Sequence, residues 1–288
     1  MARVHVLGAG TPTPTPQRFG TAHVLQIGDE HILFDCGPAT THKLVKAGIE
    51  LPKIERLFFS HHHFDHDVDY PCFLLSRWVV GAGHEKQLEV YGPAPTELFT
   101  HRLMDEHEGA FAHDLAARLN DPNSIQLHIN RGGVMPRKPP NVKAKDVGPG
   151  KVYSGQDWEV TAAVAEHAQP WLDCLAYRVD SSEGSVVFTG DTRACKSVVN
   201  LAKGADLMLC MCADAQERMD ETGLNKRTSG HLDAATMAQE AGVKKLALVH
   251  LGPSICQHGE MERVIGEASE VFEGELLFTE ELMSFPVR

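Results

Sequence analysis

Ile54-Glu55-Arg56-Leu57-Phe58-Phe59 runs without a break into Ser60-His61-His62-His63-Phe64-Asp65-His66. The apolar run reads as a buried strand, and the histidine-rich run begins where that strand ends. In an extended stretch, residues two apart project to the same side, so His61 and His63 can converge on one cation. Once the chain bends, Asp65 and His66 can reach a second. Zinc takes imidazole nitrogen and carboxylate oxygen at about 2.0–2.2 Å, and its catalytic sites keep a position open for water. Histidine runs also occur as solvated surface or as terminal tags. This one is internal, follows an apolar strand and is interrupted by an aspartate, which favours a metal site.

Outward from this stretch, strands alternate with turns and helices. Val4–Leu7 leads into the turn Gly8–Pro12, and His23–Ile27 and His31–Phe34 flank the hairpin signal Gly28-Asp29-Glu30. Asp35-Cys36-Gly37-Pro38 ends that strand, and Thr40 or Thr41 caps a short helix that stops at Gly48. In the last third, Trp158–Ala165, Cys174–Val179, Ser185–Phe188, Asp206–Met211 and Lys245–Val249 read as strands, with one more near Leu276. Helices are expected over Cys195–Lys203, Asp233–Ala241 and Glu260–Phe272. His167, Asp191 and His250 each fall where one of these strands ends, the position from which layered α/β folds present functional side chains. They are the candidates to complete two metal sites, because an aspartate between two cations can give one oxygen to each.

Residues 81–150 break the pattern. Leu88–Tyr91 is a strand, Gly92–Pro95 a turn, Glu97–Leu119 a helix or two, and Arg131–Pro149 a loop rich in proline and basic residues. This stretch lacks the apolar periodicity to bury its own core. It is expected as an inserted helical and loop segment, a lid or pocket wall, within a single domain over 1–288. His101, His107 and His113 step by six, which is not one helical face, so they read as solvated. Cys210-Met211-Cys212 reads as buried strand.

The chain has 288 residues, 42% of them hydrophobic and 23% charged, an ordinary globular mixture. No apolar run is long enough to span a membrane, and Met1 is not followed by a basic and then apolar leader. Seven scattered cysteines are poor disulfide arithmetic and suit a reducing cytoplasm. Lys plus Arg is 27 against 39 Asp plus Glu, a net charge of −12 with no dense basic run. Such a surface repels phosphate backbones, so nucleic acid is disfavoured as a partner.

Taken together, the motifs resemble the metallo-β-lactamase superfamily. The resemblance rests on His-x-His-x-Asp-His at 61–66, Ala165-Glu166-His167, Thr189-Gly190-Asp191-Thr192 and Leu248-Val249-His250, with Gly8-Ala9-Gly10-Thr11 and Phe34-Asp35-Cys36-Gly37 at the front. Ser229-Gly230-His231, opening an Ala-rich helix, is similar to the ribonuclease Z-like branch. Nearly the whole chain is covered apart from 81–150. The resemblance implies an α/β fold, the four-layer αββα sandwich with metals at one edge. It implies His61, His63 and His167 at a first metal, Asp65, His66 and His250 at a second, and Asp191 bridging. Two Zn²⁺ per chain follow from it, with Mn or Fe as other options. Asp65 would also orient the attacking hydroxide, His231 would assist proton transfer or stabilise the oxyanion, and Asp35 would support the ligands from behind. Two such cations activate water and polarise a carbonyl or phosphoryl oxygen. Members of the superfamily are commonly homodimers, and that state is implied here too.

Three departures bear on substrate. Only residues 168–190 separate His167 from Asp191, which leaves no room for the Gly/Pro-rich arm of the ribonuclease Z-like tRNA enzymes. Cys210-Met211 stands where those relatives carry His-Glu. Asp67-Val68-Asp69 puts extra acid after His66, where it is expected at the mouth of the site. With Trp78 and Trp171 as walls of an enclosed pocket, the sequence reads as a cytoplasmic dinuclear zinc hydrolase of a small-molecule ester, lactone, amide or related bond. The alternatives are a phosphodiesterase or ribonuclease Z-like nuclease on the same metals, an iron-dependent dioxygenase on the same fold, and a binding protein without turnover.

Overall fold

A computed structural model describes residues 1–288. The first of its two seven-stranded sheets holds β1 (Arg3–Ala9), β2 (Thr21–Ile27), β3 (Glu30–Phe34), β4 (Ile54–Phe58), β5 (Leu88–Gly92), β6 (Val142–Asp146) and β14 (Ser284–Pro286), in the order β14-β1-β2-β3-β4-β5-β6. The second holds β7 (Gly150–Ser154), β8 (Trp158–Val164), β9 (Leu175–Ser181), β10 (Gly184–Phe188), β11 (Leu207–Met211), β12 (Lys245–Val249) and β13 (Glu275–Phe278), in the order β13-β12-β11-β10-β9-β8-β7. In each sheet four strands run parallel and the rest antiparallel: β3 to β6 in the first, β10 to β13 in the second.

The layers follow from alternation along the strands. Val4, Val6, Leu25, Ile32, Phe34 and Phe58 of the first sheet meet Val160, Leu175, Tyr177, Phe188, Leu209 and Val249 of the second in one buried cluster. The alternate residues point outward to helices. Leu7, Val24, Leu33, Leu57 and Val90 pack under α1 (Thr40–Lys46), α3 (Tyr70–Gly81) and α4 (Thr96–Met104), while short α2 (Phe64–Asp67) lies at the sheet's edge. On the other side, Ala176, Val187, Met208, Cys210, Leu246 and Leu248 pack under α7 (Lys196–Ala202), α9 (His231–Ala241) and α10 (Glu260–Val271). These are the four layers of an αββα sandwich, the fold expected from the sequence. Cys210 and Cys212 are fully buried on or beside β11, which is what their apolar strand predicts.

Residues 81–150 are tied into the first sheet. β5 and β6 extend it by two parallel strands, and α4 packs on them. The remainder forms α5 (Ala112–Asn120) and α6 (Pro122–Asn130), the latter started by the Asp121 carboxylate accepting from Ser124 N–H at 2.8 Å. β6 was expected as loop. It is an edge strand whose Val142 and Ala144 face the helices while Lys143 and Lys145 face solvent. That lysine alternation both hides the strand in the sequence and protects the exposed edge from further pairing. His101 on α4, His113 on α5 and His107 in the turn between them are all exposed, the solvated positions their spacing indicates.

The candidate metal ligands and Asp35 sit where strands running in one direction end, whereas His231 opens α9. Asp35 follows β3, Ser60–His66 follow β4, His167 follows β8, Asp191 follows β10 and His250 follows β12. Leu251 N–H donates to Ala9 C=O at 2.8 Å and clamps the two sheets together at this edge.

Candidate metal centre

Two of these strand ends turn through a conformation few non-glycine residues adopt. Asp35 has φ 58° and His250 φ 55°, left-handed values that cost energy and gather at functional sites. Each turn swings a side chain inward where straight continuation would carry it past the edge. Gly37 lets the chain after β3 approach the histidine-rich run: a Cβ there would run into the Asp65 carbonyl, and next door Cys36 N–H donates to His66 C=O at 2.6 Å.

Three nitrogens face one another. His61 Nε2 is 2.9 Å from His63 Nδ1, and His167 Nε2 is 3.3 Å from that same Nδ1. A second group adjoins them: Asp65 Oδ2 lies 3.5 Å from His66 Nε2 and 3.2 Å from His250 Nε2. Asp191 stands between, with Oδ1 3.4 Å from His66 Nε2, and Oδ2 3.3 Å from His250 Nε2 and 3.7 Å from His167 Nε2. The donor atoms of His61, His63 and His167, of His61, His66 and Asp191, and of Asp65, His66 and His250 each lie within 4.8 Å of one another. All seven residues expected as ligands are therefore brought together.

The polar atoms behind the donors fix which nitrogen is free. Asp35 accepts from Ser60 N–H at 2.7 Å and Ser60 Oγ–H at 2.8 Å, and its Oδ2 lies 2.8 Å from His66 Nδ1. His167 donates Nδ1–H to the Arg227 carbonyl at 2.8 Å. In both rings this turns Nε2 toward the centre, the arrangement that orients imidazole for a metal. Asp35 thus has the supporting place the resemblance gave it. Ser60 and the Arg227 carbonyl were missed, because a serine inside a motif and a backbone carbonyl leave no sequence signal.

Electrostatics reinforce the picture. Burial, together with the neighbouring His66, holds the His61 imidazole well below its usual range and so neutral. Burial alone would raise Asp191, yet His250 and His66 outweigh it and hold the carboxyl well below the usual carboxylate range. His66 Nε2 and Asp191 Oδ1 are buried with no hydrogen-bond partner. Buried polar atoms are almost always paired, so two such atoms 3.4 Å apart among imidazoles and carboxylates suit the binding of a cation. The donor chemistry, nitrogen and carboxylate oxygen, suits a divalent first-row metal.

His231 is not brought to this centre. It opens α9 fully buried, its Nδ1 accepts from Gln216 N–H at 3.1 Å, and its Nε2 pairs with Glu267 of α10 at 2.8 Å. With both ring nitrogens committed, it pins α9 to α10 and to the start of α8 (Gln216–Thr222). His62 also points away, between Asp67 at 3.1 Å and Thr96 Oγ1 at 2.8 Å.

The features read as marking an enclosed pocket are arranged otherwise. Trp78 is buried, its Nε1–H donating to the Lys138 carbonyl at 2.8 Å, whereas Trp171 is 83% exposed. The cavity bordering the centre, lined by His23, Asp35, Ser60, Asp191 and His250, has about 20 Å³, room for a water and not for a substrate. Asp67 and Asp69 put no acid at the mouth: Asp67 holds His62, and Asp69 accepts from Thr41 N–H and Oγ1–H at 2.6 Å each. Exposed Arg193, Lys196, Lys226 and Arg227 lie on the segments that follow Asp191 or support His167. Of these, Arg193 is paired with Glu166, so Lys196, Lys226 and Arg227 are the local cations that the whole-chain charge of −12 conceals.

A sequence profile of the Beta-lactamase superfamily domain matches residues 30–251. The chain belongs to that superfamily. Across it, this chain is 28% identical over 268 residues to a Ribonuclease Z from Mycobacterium sp. strain KMS, covering 91% of this chain and 88% of that protein. Superfamily folds also match closely. The metallo-beta-lactamase fold protein YhfI from Bacillus subtilis superimposes with TM-score 0.72 at 22% identity, covering 99% of this chain and 98% of the other. Human tRNase Z, short form, superimposes with TM-score 0.68 at 19% identity, covering 99% of both chains. At these identities the structures speak for the fold alone. The ribonuclease relatives, aligned nearly end to end, overturn the reading of a small-molecule ester, lactone or amide hydrolase. They equally overturn the exclusion of nucleic acid. Both expectations leaned on net charge, on Asp67 and Asp69, on an enclosed pocket, on the absent arm and on Cys210-Met211. The structure removes Asp67 and Asp69 from the mouth, while the short 168–190 segment and buried Cys210-Met211 stand as read.

Proposed function

We propose that this chain is a metal-dependent phosphodiesterase acting on RNA, a ribonuclease Z-like nuclease. The observation that carries it is the juxtaposition of two three-residue donor groups with Asp191 between them, in a superfamily member whose end-to-end relatives carry the name Ribonuclease Z. His61, His63 and His167 would hold one cation, Asp65, His66 and His250 another, with Asp191 contacting both. Divalent cations bound there supply Lewis acidity toward a phosphoryl oxygen and bring the pKa of water near neutrality. Zinc suits the donors best, and manganese or iron are the other candidates.

The chain's own residues do the rest. Neutral His61 offers a lone pair without first losing a proton. The Asp35 carboxylate and the Arg227 carbonyl keep His66 and His167 in the orientation the centre needs. Asp65, buried and 3.2 Å from His250 Nε2, would orient the attacking water by accepting its hydrogen bond. All seven cysteines are free thiols, which supports a reducing compartment such as the cytoplasm.

The test is end-mapping of the products formed from a tRNA transcript extended at its 3′ end. A single cut in the extension, lost in His63→Ala, supports the proposal. An intact transcript in the presence of Zn²⁺ or Mn²⁺ contradicts it.

A further inference from the structure

We propose that Trp171 is a stacking platform for an unpaired base of the RNA next to the metal centre, and that Arg227 meets the phosphate of that nucleotide. This rests on the nuclease reading above. Of the three tryptophans, Trp78 and Trp158 are 4% exposed and Trp171 is 83% exposed. A large apolar ring held in water is a common mark of a binding surface.

Its position is defined by the centre. Trp171 N–H donates to the Ala168 carbonyl at 3.0 Å, so one tight turn separates the indole from His167. His167 in turn is bonded to the backbone of exposed Arg227 at 2.8 Å. An indole, a guanidinium and a ligand imidazole thus sit on adjoining backbone. On the other donor segment, Phe64 lies between His63 and Asp65 and is 53% exposed. Exposed aromatics interleaved with arginine are how proteins hold unpaired RNA, since every base offers a π-face. The chain has need of such a device. Residues 168–190 hold only this turn, β9 and β10, so no arm reaches out from the sandwich here.

The other two indoles are buried and out of reach of a ligand, so the emission that differs between the wild-type protein and Trp171→Phe reports on Trp171. Fluorescence of the metal-loaded protein is read on rapid mixing, before turnover, with a short single-stranded RNA and with the same sequence as a duplex. Quenching by the single strand and not by the duplex is expected. Trp171→Ala should raise KM for a cleavable RNA about tenfold with kcat within twofold, and Trp171→Phe should recover most of the loss. RNA cleavage with no quenching and an unchanged KM in Trp171→Ala would overturn this inference and leave the nuclease reading standing. Absence of both binding and cleavage of RNA would overturn the nuclease reading itself.

Discussion

Asp35 Oδ2 lies 2.8 Å from His66 Nδ1 while the same carboxylate takes both hydrogen bonds of Ser60, so one buried aspartate fixes the geometry of the histidine-rich turn. Asp35→Asn keeps the shape and offers an N–H where His66 needs an acceptor. The ring must then flip or change tautomer, and its Nε2 no longer faces the centre unprotonated. Affinity for the second cation should fall about ten- to a hundredfold, the usual loss when a group behind a metal ligand is changed. Chelator-competition titration measures it, with the circular dichroism spectrum unchanged.

His231 separates a structural role from the one its motif suggests. Its hydrogen bonds to Gln216 and Glu267 join α8, α9 and α10. His231→Ala should cost about 2 kcal/mol and lower the melting temperature by roughly 4 °C, with metal content unchanged. Loss of phosphodiester cleavage at an unchanged melting temperature would return it to a proton-transfer role.

Asp206 anchors the opposite edge. It accepts from Ser185 N–H, Lys244 Nζ and Arg288 Nε at 2.9, 2.7 and 3.1 Å. Burial works against its charge, yet the Lys244, Ser185 and Arg288 hydrogen bonds prevail and hold the carboxyl at about 2 against an ordinary 3.8. A carboxyl depressed by folding contributes stability above its ordinary pKa and loses it as pH falls through the folded value. Asp206→Asn should therefore cost about 2 kcal/mol at pH 7, with the difference shrinking between about pH 4 and pH 2. Urea unfolding at several pH values tests this, and hydrolysis should be unaffected.

How much of this could be read beforehand depends on the kind of signal. The ligands were legible because they fall at ends of apolar strands, and a strand end fixes which edge a residue occupies. Val249 leading to His250 and Phe188 leading to Asp191 are of this kind. The β2–β3 hairpin was legible because Gly28, at φ 55°, supplies the positive φ a tight turn needs. β14 was not: Ser284–Pro286 is three residues whose strand character comes only from pairing with β1. Lys143 and Lys145 concealed β6 for the same reason, since an edge strand is defined by its partner more than by its own pattern. Substrate class was misread through net charge. Asp67 and Asp69 count toward −12, and only the fold shows them spent on His62 and Thr41.

Two cations joined by Asp191 are what should let this chain cleave phosphodiesters. This is tested most directly by assaying bis-(p-nitrophenyl) phosphate and a p-nitrophenyl carboxylic ester on protein of measured metal content, beside Asp191→Ala. Close to two divalent cations per chain and phosphodiester cleavage well above ester cleavage are expected. Asp191→Ala should lose bound metal and drop in activity by more than about a hundredfold. A single iron per chain with oxygen uptake, or full activity in Asp191→Ala, would contradict this.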